Sequence, residues 1–236
     1  MSLVELLNPQ QHEDILDLGC GDGIITTQIA DSAARVVGID IFDYREDSCK
    51  NFQFEIRNAT DLGFNEEFDA VFSNLVIHLI KPPEEVISSV WNALKPGGRF
   101  VAEFYGDGTA KEIILALQKV MSDHNYSFDI DKDFPWYLPT QEDYCNLLIK
   151  KGFEGTAQSI FPPEQRLLLP YEKIEDWLRQ VIKTDTQNFD YDRKEEIFPK
   201  VQDQVSCQLF KDRQGFVNYQ HIRIVARKSS QLSNNN

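Results

Sequence analysis

Positive charge is what this sequence has least of. It sets 24 Lys and Arg against 38 Asp and Glu, a net charge of −14 at pH 7. A nucleic-acid backbone needs a basic footprint, and an anionic membrane surface needs one too, so both are disfavoured as partners. Long apolar runs are also missing. Nothing approaches the roughly 20 residues of a membrane span, and the start, MSLVELLNPQ, has neither the basic residues nor the apolar core of a secretory signal. The four cysteines, Cys20, Cys49, Cys145 and Cys207, lie far apart and match no zinc spacing. They read as free thiols in a reducing cytosol, so the expected location is cytoplasmic and no metal site is expected. There is no internal repeat. Hydrophobic content of 42% is that of an ordinary globular chain, and 236 residues suffice for one large α/β domain with insertions.

What is present is concentrated in Asp14 to Ala30, DILDLGCGDGIITTQIA. Ile15, Leu16 and Leu18 form the short apolar run of a strand buried on both faces. Gly19, Gly21 and Gly23 follow at alternate positions, where glycine permits positive φ and lets a ligand lie on the backbone. A helix beginning near Gly23 turns its free N–H groups toward that turn. A strand, a glycine loop and a helix make a nucleotide-type site. The spacing is GxGxG rather than the GxGxxG of a dinucleotide loop, and Asp17 precedes the first glycine by two residues. An acid there would repel a pyrophosphate and suit a ligand bearing an ammonium or sulfonium. Asp40, ending the run RVVGID, lies where a carboxylate at the end of the second strand takes ribose hydroxyls.

Along the chain, Leu3–Leu7 is a predicted helix, Ile24–Ala30 another, and Ala34–Asp40 the second strand. Ile41–Asn51 is a short, polar, poorly periodic stretch in the place of a helix. Phe52–Arg57 alternates as a third strand. Phe68–Ser73 is the fourth, and Pro82 opens a helix running to Leu94, with proline and acids in its first turn. Arg99–Phe104 is the fifth strand. Beyond it the alternation stops: helices over Thr109–Asp123 and Gln141–Lys151, a strand over Phe153–Phe161, helices over Tyr171–Lys183 and Lys194–Phe210, and a last strand over Phe216–Arg227. The predicted fold is a doubly wound, mostly parallel seven-stranded α/β sheet of Rossmann type with helical lid insertions after strands five and six, its last strand antiparallel. The expected division is a core over 1–107, a lid over 108–152, late strands over 153–228 with a helical insertion at 164–215, and a disordered tail over 229–236.

The motifs ILDLGCGDG, VVGID, NATDLGF, FDAVFSNLVIHLI and LKPGGRFVAEF come in the order and spacing that resemble class I methyltransferases dependent on S-adenosylmethionine (SAM). With WYLPTQEDYCNLLIKKGF and YQHIRIVARK, the chain looks like the subfamily around trans-aconitate methyltransferase. The resemblance implies SAM as cofactor and a small-molecule methyl acceptor. It implies that Asp17 holds the methionine ammonium, directly or through water, that Gly19 and Gly21 carry the methionine part, and that Asp40 binds the ribose. Asn58 and Ala59 stand where the family commonly has an Asp-Ala pair at the adenine; Asn58 keeps an acceptor but loses the charge, which weakens that contact. Asn74 falls near the methionine end and the acceptor.

His78, four residues beyond Asn74, is the candidate that orients or deprotonates an acceptor hydroxyl, with a packed turn residue as the plain alternative. Phe134, Trp136 and Tyr137 suit an apolar or planar ligand or form a small core of their own. Arg166, Arg179 and Lys173 are the cations that could meet a carboxylate acceptor. A methyl group on a sulfonium is already activated, so alignment of a nucleophile at about 3 Å in a dry site is the main requirement. A carboxylate needs no base, and O-methylation is the expected reaction. Two departures from the family favour a second reading, a binding or regulatory protein without turnover: relatives carry further helices ahead of this first strand, and Ile41–Phe52 is shorter than usual and lacks the apolar helix beside the adenine.

Overall fold

Asp14–Leu18 (β1) lies inside the main sheet, and four of its five residues are buried. The protein is described here from a computed structural model, which describes residues 1–45, 51–154, 165–170, 173–183, 189–209 and 214–230. Further strands are β2 (Arg35–Asp40), β3 (Gln53–Ile56), β4 (Phe68–Asn74), β5 (Leu94–Tyr105), β6 (Phe153–Glu154), β7 (Gln165–Pro170), β8 (Gln214–Tyr219) and β9 (His221–Lys228). Seven of them form one sheet in the order β3-β2-β1-β4-β5-β9-β6. From β3 to β5 every neighbouring pair is parallel, whereas β9 runs antiparallel to β6. The doubly wound, mostly parallel sheet of seven strands is therefore the one expected.

Helices cover both faces of that sheet, as parallel strands require. On one face α1 (Leu3–Leu7) and α2 (Ile24–Ala30) bring Leu3, Leu7 and Ile29 onto Ile15, Val36, Ala70, Phe72 and Val101. On the other, α3 (Pro83–Ala93) and α6 (Gln141–Lys151) are anchored by aromatic pairs. Phe104 lies against Tyr144 at 4.6 Å, and Trp91 meets Phe153 edge-on at 4.9 Å. Each such buried side chain contributes about 2 kcal/mol in area removed from water. The ends of these helices are marked in the sequence. Ser2 and Glu5 form a capping box on α1, Pro83 with Glu84 and Glu85 opens α3, and Gly152 ends α6 at φ +112°.

The chain divides into two units: Met1–Tyr105 with Pro139–Phe161 and Ile222–Asn236, and Gly106–Leu138 with Pro162–His221. The boundary differs from the expected lid over 108–152, because α6 and β6 belong with the main sheet through Tyr144 and Phe153. The second unit contains α4 (Lys111–Asp123), α5 (Ile130–Asp133), α7 (Ile174–Val181) and α8 (Tyr191–Leu209), together with the antiparallel pair β7 and β8. The insertion expected to be helical over 164–215 thus contains strand as well. The single last strand expected over Phe216–Arg227 is two, β8 and β9, in different sheets. Lys194–Phe210 gains a turn at its start, since α8 begins at Tyr191. Residues 155–161 of the expected sixth strand and 231–236 of the tail lie outside the described residues. Among the described residues no helix is long and apolar enough to cross a membrane.

Candidate functional site

The parallel strands β1, β2, β3 and β4 end on the same edge of the sheet, and the residues predicted for the cofactor lie on or just after these strands. The turn after β1 is tied to the neighbouring strand: the Gly19 and Cys20 N–H groups both donate to the Ile39 carbonyl, at 2.8 and 2.9 Å. One step further, the Gly21 N–H donates to Asp40 Oδ2 at 3.0 Å. Asp40 Oδ1 accepts from the Ile41 N–H at 2.7 Å and the Phe42 N–H at 3.4 Å. The Asp40 carboxylate is thereby oriented by backbone amides of the glycine loop and of its own turn.

Asp17 sits beneath this loop and is only 2% exposed. Thr26, in the first turns of α2, donates its hydroxyl to Asp17 Oδ2 at 2.6 Å. Burial, chiefly, raises the Asp17 carboxyl to about 7; the Thr26 hydrogen bond opposes the rise and the charge of Asp40 adds to it. Cys20, between the two glycines, is pushed up to about 12 by burial and by the charges of Asp17 and Asp40. It is an inert thiol.

Two glycines of the loop have opposite surroundings. Gly19 has φ +78°, and a Cβ there would overlap the Val76 side chain, its Cγ1 at 2.7 Å. Gly21 has φ +52°, and a Cβ there would meet nothing within 4 Å. The first glycine admits a neighbouring side chain and the second leaves the surface of the loop open, as a cradle for a ligand must.

Asn58 and Ala59 follow β3, beside Asp40: the Arg57 N–H donates to the Asp40 carbonyl at 3.0 Å. Asn58 Oδ1 accepts from the Thr60 N–H at 3.0 Å, so its acceptor is already engaged in a local turn. Ala59 is buried. Asn74 ends β4 next to Glu103 of β5, and the following Leu75 takes φ +57° with its N–H donating to the Glu103 carbonyl at 2.7 Å. A bulky residue in the left-handed region is strain of the kind concentrated at functional turns. It turns the chain so that Val76 reaches Gly19. His78 lies in a one-turn 3₁₀ helix, Ile77–Leu79, 3% exposed, with its ring 4.4 Å from that of Tyr105.

Asp17, Gly19, Gly21, Asp40, Asn58, Ala59, Asn74 and His78 all belong to the first unit. Trp136, Tyr137 and Arg166 belong to the second. There Trp136 packs edge-on against Trp177 at 5.7 Å and Phe134 at 5.9 Å, and Trp177 Nε1 donates to the Tyr219 hydroxyl at 2.7 Å. Phe134, Trp136 and Trp177 thus pack on one another. Arg166 pairs with Asn218 in the β7–β8 register. Arg179 is held in ion pairs with Glu175 at 2.6 Å and Glu195 at 2.9 Å. Sequence reasoning missed Thr26, Val76 and Tyr105. A hydroxyl in the first turn after the glycine loop, in IITTQIA, was a signal for the first; the other two depend on contacts between distant segments.

Comparison with known proteins agrees with this geometry. Residues 16–102, the span from β1 into β5, match a family model described as "Methyltransferase domain". An uncharacterised methyltransferase of Schizosaccharomyces pombe is 27% identical over 96% of this chain and 90% of its own length. A malonyl-[acyl-carrier protein] O-methyltransferase of Acetivibrio thermocellus is 26% identical over 80% of this chain and 69% of its own length. Among solved structures, the YcgJ protein of Bacillus subtilis is similar with a TM-score of 0.66 at 16% identity, over 97% of both chains. Phosphoethanolamine N-methyltransferase 2 of Haemonchus contortus, in complex with S-adenosyl-L-methionine, is similar with a TM-score of 0.51 at 20% identity, over 93% of this chain and 49% of its own. The chain has the class I methyltransferase fold, and residues 16–102 are similar to the methyltransferase-domain model.

Proposed function

We propose that this protein is a SAM-dependent methyltransferase acting on a small molecule, at an oxygen of a carboxylate or hydroxyl. The observation that carries the reading is the coupling of the open glycine loop to Asp40 through the Gly21 N–H, above a buried Asp17. The residues present fit the cofactor: a carboxylate ending β2 for the ribose hydroxyls, a loop surface that a Cβ at Gly21 would fill, and an acid below the loop for an ammonium. When bound, SAM supplies a methyl group activated by the sulfonium.

The chain's own residues bind and align. Asp40 receives hydroxyls on an anion already oriented by amides. Asn58 and Ala59 flank the base, with Ala59 and the backbone shaping its seat. Asn74 and His78, on the turn that carries Val76 onto Gly19, stand on the acceptor side. His78 orients the acceptor rather than serving as an indispensable base, since a carboxylate needs none. An acidic surface, net −14, is matched to a small acceptor rather than to a nucleic acid. The A. thermocellus relative, named as an O-methyltransferase, supports oxygen as the acceptor atom.

The test has two stages. Isothermal titration with SAM and S-adenosylhomocysteine, beside Asp40→Ala, should show micromolar binding that the substitution abolishes. Transfer of labelled methyl from SAM across a panel of carboxylic acids and alcohols should then give a product. Tight binding without transfer to any acceptor would turn the reading to a cofactor-binding protein without turnover.

A further inference from the structure

Thr26 is buried on α2, nine positions after Asp17, and no apolar function explains a hydroxyl there. Its Oγ1 lies 2.6 Å from Asp17 Oδ2. Among the described residues it is the side chain that donates to Asp17. Among the described residues the charged and titratable groups around Asp17 are few. From β2 comes Asp40, whose charge opposes ionisation; from the loop comes Cys20, a neutral thiol; α2 contributes only Thr26. The flanking register partners, Gly38 on β2 and Phe72 on β4, carry no charge. A carboxylate in such surroundings is held as an anion by hydrogen bonds or not at all.

We propose that Thr26 is a positioning residue that fixes Asp17 as the anion which receives the ammonium of the cofactor, and that this pair makes cofactor binding depend on pH. The proposal rests on the SAM reading of the site given above. It assigns the dependence to one hydroxyl and one carboxylate outside the acceptor chemistry.

The direction follows from the proton balance. The Asp17 carboxyl titrates at about 7 in the folded protein, above the ordinary carboxylate range it has when unfolded. The unliganded fold therefore holds a proton that the unfolded chain has lost, and its stability falls as pH rises across that interval. Binding of an ammonium runs the opposite way and strengthens as Asp17 ionises. Removing the Thr26 hydroxyl takes away a bond to a charged acceptor, a change of about 1–2 pH units in the titration.

The experiment uses the full chain, wild type and Thr26→Val, with Thr26→Ala in case the first variant does not fold and Thr26→Ser as the conservative rescue. Two readouts are taken from about pH 5.5 to 9: affinity for S-adenosylhomocysteine, and thermal stability without ligand. 5′-Methylthioadenosine, which lacks the amino-acid part, is the control ligand. The expected result is that Thr26→Val moves the rise in S-adenosylhomocysteine affinity upward by about 1–2 pH units, weakening binding about tenfold at pH 7 and much less at pH 9. Affinity for 5′-methylthioadenosine should change less than about twofold, the unliganded stability profile should shift by the same interval, and Thr26→Ser should restore both. Parallel profiles for wild type and Thr26→Val, or equal losses for the two ligands, would overturn the proposal and reduce Thr26 to packing. A shift in unliganded stability with no binding of either ligand at any pH would overturn it differently: the pair would be real, and the cofactor reading would be what failed.

Discussion

The Gly21 N–H donates to Asp40 Oδ2 at 3.0 Å, so the acid ending β2 and the loop following β1 are one structural unit. Asp40 is expected to act on the site twice, through its charge and through the shape of the loop. Asp40→Asn keeps an oxygen acceptor and should weaken SAM binding less than Asp40→Ala does. Asp40→Ala should remove detectable binding in titration and lower stability by about 1–2 kcal/mol in chemical denaturation, the scale of lost bonds to a charged acceptor. Equal binding by Asp40→Ala and wild type would sink this assignment.

The loop glycines should separate stability from binding. Gly19→Ala puts a methyl into Val76 at a backbone angle of φ +78°, and should cost on the order of 2–4 kcal/mol. Val76→Ala should return part of that loss in the double variant, because it removes the overlap and leaves the unfavourable angle. Gly21→Ala meets no neighbour and should cost only about 1 kcal/mol, the left-handed penalty. Yet it should lower SAM affinity at least about tenfold, since the added methyl occupies the face a ligand would use. Denaturation midpoints and titration on the same preparations check both halves.

Acid should loosen the start of the chain. The Arg99 guanidinium donates to both Glu13 oxygens at 2.6 and 2.8 Å and to the carbonyl of Leu7 at 3.0 Å, fastening the end of α1 to β5. The Arg99 hydrogen bond holds the Glu13 carboxyl below the usual carboxylate range. A lowered folded value means the stabilisation is complete above the unfolded value and is lost as pH falls through the folded one. Glu13→Gln should therefore cost about 1–3 kcal/mol at pH 7 and progressively less below about pH 4. A constant gap between variant and wild type from pH 7 to pH 3 would contradict the pairing.

His78 packs against Tyr105, and substitution should split cofactor from acceptor. His78→Asn is expected to leave the affinity for S-adenosylhomocysteine within about threefold while lowering kcat/KM for an acceptor about tenfold or more, the lower range for an orienting group. Tyr105→Leu should produce a smaller loss of the same kind by freeing the His78 ring. A loss confined to cofactor affinity would make His78 part of the loop's packing instead.

Much of this site could be read from residue order because it is local. β1, the glycine loop and α2 are contiguous, and their boundaries follow from a buried apolar run, three glycines and a helix start. Asp40 was legible because it closes the next apolar run. Burial was not legible. Nothing in DILDLG distinguishes a solvated Asp17 from one under the loop, and the difference sets its titration at about 7. Nor could the sequence place Val76 on Gly19, since that contact depends on the positive φ of Leu75.

The later part of the chain marks the boundary between the two kinds of information. By itself the sequence determined the parallel core from β1 to β5, because each strand is a short apolar or alternating run followed by its own helix or turn signal, and local patterning governs such units. FVNYQHIRIVAR carries one unbroken strand pattern, and the tertiary structure divides it at Gln220. Residues from the β5–α4 turn, more than a hundred positions away, take its backbone: the Gly106 N–H donates to the Gln220 carbonyl at 2.9 Å, and the Gln220 N–H donates to Thr109 Oγ1 at 3.0 Å. The Ala110 N–H takes the Asn218 carbonyl in the same way, at 2.9 Å. Backbone groups captured by a distant turn cannot continue a ladder. The strand therefore changes sheets there, for a reason that exists only once the chain has folded.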